Sequence, residues 1–155
     1  DPAKKEFSRL ELTKSAFAKA VALGDRVWTL DASADGVAEI DQQRVTQAVL
    51  QLADNAVKHT DQDAEIGIGT EVLNGQLRVW VRDTGDGVPL EDRTLIFDRF
   101  GRGQVREGDD GFGLGLSIVK AIADAHGGRV YVTDAVPRGA EFSMLLPLEV
   151  LWPTS

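Results

Sequence analysis

The chain of 155 residues contains no cysteine, which excludes disulfide bonds and thiolate metal sites. It has no apolar run near the roughly 20 residues that a membrane-spanning helix requires. Basic residues are also in deficit, since 17 Lys and Arg face 25 Asp and Glu, which gives a net charge of -8. This negative charge argues against nucleic acid and anionic membranes as partners. A phosphate ligand would have to be held by local cations, backbone amides or a metal ion.

The length and composition fit one globular domain over residues 1–155. The hydrophobic content of 43% is high enough for a real core. The start, Asp1-Pro2-Ala3-Lys4-Lys5, has neither the apolar segment of a signal peptide nor an initiator Met. We therefore expect a piece of a longer protein.

Hydrophobic periodicity predicts helices and strands in the order helix, two strands, helix, hairpin, helix, two strands. The predicted elements are a helix over 8–23, strands over 26–31 and 36–40 around an Asp-Gly turn, a helix over 42–58, a hairpin over 66–72 and 77–82 around Asn74-Gly75, a helix over 114–126, and strands over 129–134 and 141–146. This order predicts an α/β two-layer sandwich of the α+β kind, with three helices on one face of a mixed, mainly antiparallel sheet. Residues 98–112, with four glycines and three arginines, can bury little and should form a mobile lid.

The run Gly111-Phe112-Gly113-Leu114-Gly115-Leu116 ends this polar stretch and opens an apolar helix. Backbone amides at a helix start bind phosphate because they lack intrahelical partners and lie at the positive end of the helix dipole. Glycines allow the backbone to approach the anion closely. The run therefore predicts a phosphate site, provided that other motifs support it.

Two familiar phosphate-binding folds do not fit this run. A P-loop would need Gly-Lys-Ser/Thr at the start of the helix, and Gly115 is followed by Leu116-Ser117. A Rossmann loop would need a strand directly before its glycines, whereas the residues before Gly111 are rich in Arg, Gly and Asp.

Asp83 stands at the end of a predicted strand and is followed by Gly85 and Gly87. A carboxylate in this position can accept a hydrogen bond from the exocyclic amine of adenine, whereas guanine presents a carbonyl there. Such a charge-assisted bond contributes roughly 1.5–3 kcal/mol, enough to select ATP over GTP. The alternative is an ordinary hairpin-end turn rich in Asp and Gly.

Asn55, Lys58 and His59 lie at the end of the helix predicted over 42–58. The amide oxygen of Asn55 is a hard ligand suited to Mg²⁺, and Lys58 is a point charge for phosphate oxygens. His59 either donates to phosphate or packs as a structural residue. Asn55 and Lys58 lie on a polar stripe of this helix, beside its apolar face. That stripe either lines the edge of a pocket or is exposed to solvent. Arg99 and Arg102, in the mobile segment, either reach a triphosphate or belong to a solvated loop.

In this order, the motifs resemble the catalytic ATP-binding domain of sensor histidine kinases, in the wider group shared with gyrase, Hsp90 and MutL. The resemblance covers roughly residues 9–148. The segments that carry it are Asn55–Thr60 (the N box), Asp83–Gly87 (the G1 box), Ile96–Phe100 (the F box), Gly111–Leu116 (the G2 box) and the closing Arg138–Phe142.

The resemblance implies an ATP pocket between helices and sheet, under the lid. By it, Asn55 holds Mg²⁺, Lys58 and His59 face phosphate, and Asp83 reads adenine. The remaining implied nucleotide contacts are Gly85 and Gly87 in the pocket floor, Phe97 and Phe100 at the lid base, Arg99 and Arg102 in the lid, and Gly111, Gly113, Leu114, Gly115 and Leu116 at the phosphates. Asn55 and Lys58 would be the catalytic residues.

The resemblance also implies a function, namely transfer of the γ-phosphoryl group of ATP to a histidine on a separate dimerisation domain, and then to a response regulator. Gln51, where hydrolysing relatives have Glu, cannot act as a general base. Neither His59 nor His126 has the sequence setting of the acceptor histidine. We expect a cytoplasmic, monomeric domain of a membrane-anchored kinase. A stand-alone serine kinase of the anti-sigma-factor type and a non-catalytic nucleotide-binding module remain alternatives.

Overall fold

Three α-helices and seven strands form the part of the chain that the computed structural model describes, which is residues 7–98 and 114–148. The α-helices are α1 (Leu12–Ala20), α2 (Gln42–Lys58) and α3 (Leu114–Ala125). The strands are β1 (Phe7–Arg9), β2 (Val27–Ala32), β3 (Val37–Glu39), β4 (Glu65–Leu73), β5 (Gln76–Arg82), β6 (Arg129–Asp134) and β7 (Ala140–Pro147). Short 3₁₀ turns cover Val21–Leu23, Leu90–Asp92 and Leu95–Phe97.

The main sheet has five strands in the order β2-β4-β5-β7-β6. The β2–β4 pair is parallel and the other pairs are antiparallel. All three helices pack against the sheet, with α1 and α2 on β4 and α3 on β6 and β7. The predicted mixed, mainly antiparallel sheet with helices on one face is confirmed.

Helix α2 forms where the sequence predicts it, because its apolar residues recur every three or four positions. Asp41 caps its start, since a side-chain oxygen accepts a hydrogen bond from the Arg44 amide at 3.1 Å. The residues of its apolar stripe that become buried are Val45, Ala48, Val49, Leu52, Ala53 and Ala56. This packing anchors the helix that carries the candidate site residues at its far end.

The β4–β5 hairpin turns at Asn74 and Gly75, whose φ angles are +56° and +76°. Two successive left-handed residues are the requirement of the tight turn that Asn-Gly favours. The pairing runs from Leu73 opposite Gln76 to Gly67 opposite Arg82, so β5 ends directly before Asp83.

One detail of the predicted elements is wrong. Helix α1 begins at Leu12 rather than at residue 8, because residues 7–9 form β1 and pair with β3. The two strands predicted around the Asp-Gly turn are present, and each pairs with a strand elsewhere, β2 with β4 and β3 with β1. Both pairings join segments distant in sequence, which a local pattern does not reveal.

The helices within the described ranges are all too short or too polar to span a lipid bilayer. Apart from Asp98, the segment predicted as a mobile lid lies outside the described residues.

Candidate functional site

A small cavity of about 50 Å³ lies between the end of α2, the loop after β5 and the start of β7. Polar and apolar groups share its walls about equally. The lining residues are Asn55, His59, Asp83, Asp86, Gly87, Val88, Ala140 and Phe142. The structure therefore brings four residues from two separate motifs, Asn55 and His59 with Asp83 and Gly87, to one place.

Asn55 is 4% exposed, at the end of α2 that faces this cavity. Neither its Oδ1 nor its Nδ2 has a hydrogen-bond partner among the described residues. A buried amide left in this state costs roughly 1–3 kcal/mol, so its partner is expected to be a ligand or solvent. A neutral amide oxygen that faces this cavity fits Mg²⁺, which prefers oxygen ligands and is commonly shared with substrate phosphates.

Asp83 is 3% exposed, and its backbone amide donates to the Ala140 carbonyl at 2.9 Å. Its Oδ1 accepts hydrogen bonds from the backbone amides of Gly85 at 2.9 Å and Ala140 at 3.2 Å. No donor within residues 7–98 and 114–148 contacts Oδ2. Burial raises the pKa of this carboxyl above its ordinary value, and the two amides only partly offset that rise. Asp83 thus keeps one acceptor oxygen for an amine donor in the cavity.

The loop from Asp83 to Val88 has its shape because of its glycines. A side-chain carbon at Gly85 would overlap the carbonyl oxygen of His59, so the loop can lie against the end of α2 only with glycine there. Gly87 has a φ of +81°, a backbone conformation that other residues rarely adopt. The loop thereby presents Asp83 and Gly87 to the same cavity as Asn55.

Lys58 does not line the cavity. Its ammonium group pairs with Asp54 at 3.2 Å on the outer side of α2, and both side chains are roughly half-exposed. A flexible exposed cation such as Lys58 can reach a phosphate outside the cavity, although its partner in this structure is Asp54.

Two further predicted residues, Phe97 and Leu116, are buried and do not line the cavity. Phe97 is buried and packs edge to face on Phe142, a cavity residue, with 6.2 Å between ring centroids. The side chain of Leu116 is buried in the hydrophobic core, so only its backbone is free for a ligand. A side-chain carbon at Gly115 would lie 2.8 Å from Oε1 of Gln51, which places the start of α3 against that side chain of α2.

Several predicted site residues lie outside the described residues. They are Arg99, Phe100, Arg102, Gly111 and Gly113. Leu114 is the first residue of α3, and its side chain is not among those described.

The sequence alone did not point to Asp86, Val88 or Phe142 as cavity residues. Phe142 could have been found, because it lies two positions after Ala140 on β7 and therefore faces the same side. Asp86 is exposed and pairs with Arg138 at 3.1 Å, while Arg138 also donates to the Gly85 carbonyl at 3.0 Å. These contacts join residues more than fifty positions apart, which no local pattern shows.

A larger groove of about 740 Å³ lies elsewhere, between α1 and α2, and shares no residue with the small cavity. Its lining is mainly glutamines and other long polar side chains, for example Gln43, Gln47 and Lys19. The buried Asn55 amide and the Asp83 carboxylate both lie in the small cavity, so that cavity is the better candidate site despite its size.

Comparisons with known proteins identify the family of the chain. The sequence model of the family described as histidine kinase-, DNA gyrase B-, and HSP90-like ATPase matches residues 40–150. Sensor protein KdpD of Escherichia coli is 38% identical over 108 residues, which are 70% of this chain and 12% of KdpD. Sensor protein CiaH of Streptococcus pneumoniae is 40% identical over 112 residues, 70% of this chain and 25% of CiaH. The chain thus spans no more than a quarter of the length of these two relatives.

Solved structures show the same fold. The mycobacterial sensor histidine kinase MprB matches with a TM-score of 0.76 and 26% identity, over 95% of this chain and 99% of that one. The catalytic domain of the histidine kinase ThkA matches with a TM-score of 0.72 and 27% identity, over 92% of this chain and 97% of that one. This chain therefore belongs to the family of histidine kinase-, DNA gyrase B- and HSP90-like ATPases, and it is an ATP-binding domain of the kind found in sensor histidine kinases.

Proposed function

We propose that this domain binds Mg–ATP at the small cavity and donates the γ-phosphoryl group to a histidine of a dimerisation domain in two-component signalling. The observation that carries the proposal is the pairing, in one cavity, of the unpartnered Asn55 amide with the free acceptor oxygen of Asp83. The named relatives are sensor kinases, which favours this function over the anti-sigma-factor kinase and the non-catalytic module.

Asp83 is proposed to select the base. Its Oδ2 would accept a hydrogen bond from the adenine amine, while Gly85 and Ala140 hold Oδ1 and fix the orientation of the carboxylate. Guanine would place a carbonyl oxygen against this carboxylate, and a buried repulsive contact of that kind is strongly unfavourable. Gly87 and Val88 would form the floor under the base.

Asn55 is proposed to hold Mg²⁺ through its amide oxygen. When bound, the ion supplies charge neutralisation for the phosphates, which matters in a chain with a net charge of -8. Lys58 would exchange its ion pair with Asp54 for a phosphate oxygen, since an exposed pair of this kind contributes at most about 1 kcal/mol. The backbone of Gly115 and Leu116 at the start of α3 would contact the phosphates.

The site is proposed to lack a base that would activate water. Gln51 packs against the start of α3, and its carboxamide takes no proton near neutral pH. The domain should therefore retain ATP until a nucleophile arrives from elsewhere, and catalysis would consist of positioning and charge neutralisation.

The acceptor histidine is proposed to come from another domain. His126 is buried at the end of α3, where Nδ1 donates to the Ile122 carbonyl at 2.9 Å, and His59 lines the nucleotide cavity itself. We place the domain on the cytoplasmic side of a membrane-anchored kinase, with a response regulator as the downstream partner. ThkA, one of the structural neighbours, has been solved in complex with the response regulator protein TrrA.

The experiment is incubation of the purified chain with γ-labelled ATP, with and without a histidine-bearing dimerisation domain in trans. We expect acid-labile, base-stable label on the added domain, slow ATP hydrolysis, and no label on the chain itself. An added domain in which the acceptor histidine is replaced by glutamine is the control. Acid-stable label on serine, label on the isolated chain, or ATP binding with no transfer would each contradict the proposal.

A further inference from the structure

Arg26 lies outside every motif in the sequence, yet its side chain reaches the C-terminal end of α2. Its Nη2 donates to the carbonyl oxygens of Val57 and Thr60, each at 2.9 Å. Its Nε donates to Oγ1 of Thr60, also at 2.9 Å, and Nη1 donates to the Asp25 carbonyl. One guanidinium group thus joins the segment before β2 to the residues that end α2.

The last carbonyl groups of a helix lack partners within the helix and lie at the negative end of its dipole. Arg26 supplies both hydrogen bonds and positive charge there. Thr60 completes the cap, because its hydroxyl donates to the Ala56 carbonyl at 2.7 Å and accepts from Arg26. The helix therefore ends through an arginine and a threonine rather than through a left-handed glycine.

This capped turn is the part of α2 that contacts the Asp83 loop. It carries Asn55 and His59, and the carbonyl oxygen of His59 lies directly against Gly85. Gly85 in turn donates its amide to Asp83 Oδ1. A continuous series of contacts therefore leads from the guanidinium group, through the end of α2, to the carboxylate in the cavity.

We propose that Arg26 is a positioning residue of the nucleotide site: by capping the end of α2 it sets the position of Asn55 and His59 relative to Asp83. The proposal rests on the proposed function for the identity of the ligand. Arg26 touches no ligand itself. It acts through the backbone of residues 57–60 and the contact of His59 with Gly85.

A purely structural arginine would affect stability alone, and Arg78 provides that comparison. Arg78 lies on the outer face of the sheet, where it bonds to Glu71, Glu141 and Ser143 at 2.9–3.1 Å. Its side chain bonds to three residues, as that of Arg26 does, and it lies apart from the cavity lining. Arg78→Ala is therefore a matched control for the loss of an arginine with several hydrogen bonds.

The test compares Arg26→Ala, Arg26→Lys, Thr60→Val and Arg78→Ala with the parent chain. Urea unfolding gives the stability of each. Calorimetry with ADP and MgCl₂ gives affinity at a temperature where all variants are folded, and amide hydrogen exchange of Gly85 is measured without nucleotide. We expect Arg26→Ala to weaken ADP binding about five- to tenfold and to speed Gly85 exchange, with Arg26→Lys and Thr60→Val intermediate. Arg78→Ala should lose stability and keep its affinity within about twofold.

The proposal is overturned if folded Arg26→Ala binds ADP as the parent does, or if Arg78→Ala loses as much affinity for the same loss of stability. If Arg26→Ala does not fold, Arg26→Lys and Thr60→Val decide by the same criteria. If the parent chain fails to bind ADP, the proposed function is wrong. In that case Gly85 exchange in Arg26→Lys alone decides, and an unchanged rate contradicts the role of Arg26.

Discussion

Asn55 and Asp83 are both almost fully buried, and each keeps an oxygen atom for which the described residues supply no donor. Folding alone would not favour this arrangement, because each unsatisfied buried group costs free energy. Sites that bind polar ligands commonly accept such a cost, since the ligand removes it on binding. At the scale of the residue, the candidate site therefore consists of two polar side chains for which a bound ligand is the proposed partner.

Asp83→Asn should separate base recognition from folding. The change keeps the shape of the side chain but replaces a carboxylate with an amide, so we expect ATP affinity to fall by about 2 kcal/mol. Discrimination against GTP should weaken at the same time, because guanine no longer meets a negative charge. Calorimetric titrations with both nucleotides measure the two effects. Asp124→Asn, an exposed acid on α3, is the control. Unchanged affinity and selectivity in Asp83→Asn would refute the assigned role.

At the scale of the element, the sequence predicted what depends on local signals. Helix α2 follows from its apolar period, and the β4–β5 hairpin from Asn74-Gly75. The loop at Asp83 could be predicted as a turn. Its contact with the end of α2 could not, because that contact requires Gly85 to have no side chain where it meets the carbonyl oxygen of His59. The cap by Arg26 was missed for the same reason, since its partners lie 31 and 34 positions away.

Two glycine substitutions test whether the Asp83 loop affects nucleotide affinity while the β4–β5 hairpin affects stability alone. Gly75 has a positive φ and open space around it, so Gly75→Ala should cost about 1 kcal/mol of stability through backbone strain alone. Gly85→Ala forces the loop away from His59 and should also weaken ADP binding by about 1.5 kcal/mol, a little over tenfold, which is the lower end of the range for one charge-assisted hydrogen bond. Urea unfolding and calorimetry on both variants measure these effects. Equal affinity in the two variants would show that the loop contact does not shape the site.

At the scale of the whole molecule, the sheet has helices on one face and a layer of ion pairs on the other. Arg82 bonds to Asp31 through two nitrogens at 2.8 and 2.9 Å, and Trp80 donates to the same carboxylate at 3.0 Å. A side-chain carbon at Gly67 or Gly69 would overlap Arg82 or Trp80, so these long side chains lie flat across the sheet. The sequence predicted the two layers, but this outer network depends on register between strands, which only the fold supplies.

Asn55 and the Asp83 loop are proposed to hold one nucleotide together. The most direct test is titration of Mg–ATP into the ¹⁵N-labelled chain, followed by nuclear magnetic resonance of the amide groups. We expect the side-chain amide of Asn55 and the backbone amides of Gly85, Gly87 and Ala140 to shift along one saturable curve, with Thr46 and Gln47 of the larger groove unaffected. Shifts confined to that groove, or an Asn55 side chain that does not respond while Gly85 does, would contradict it.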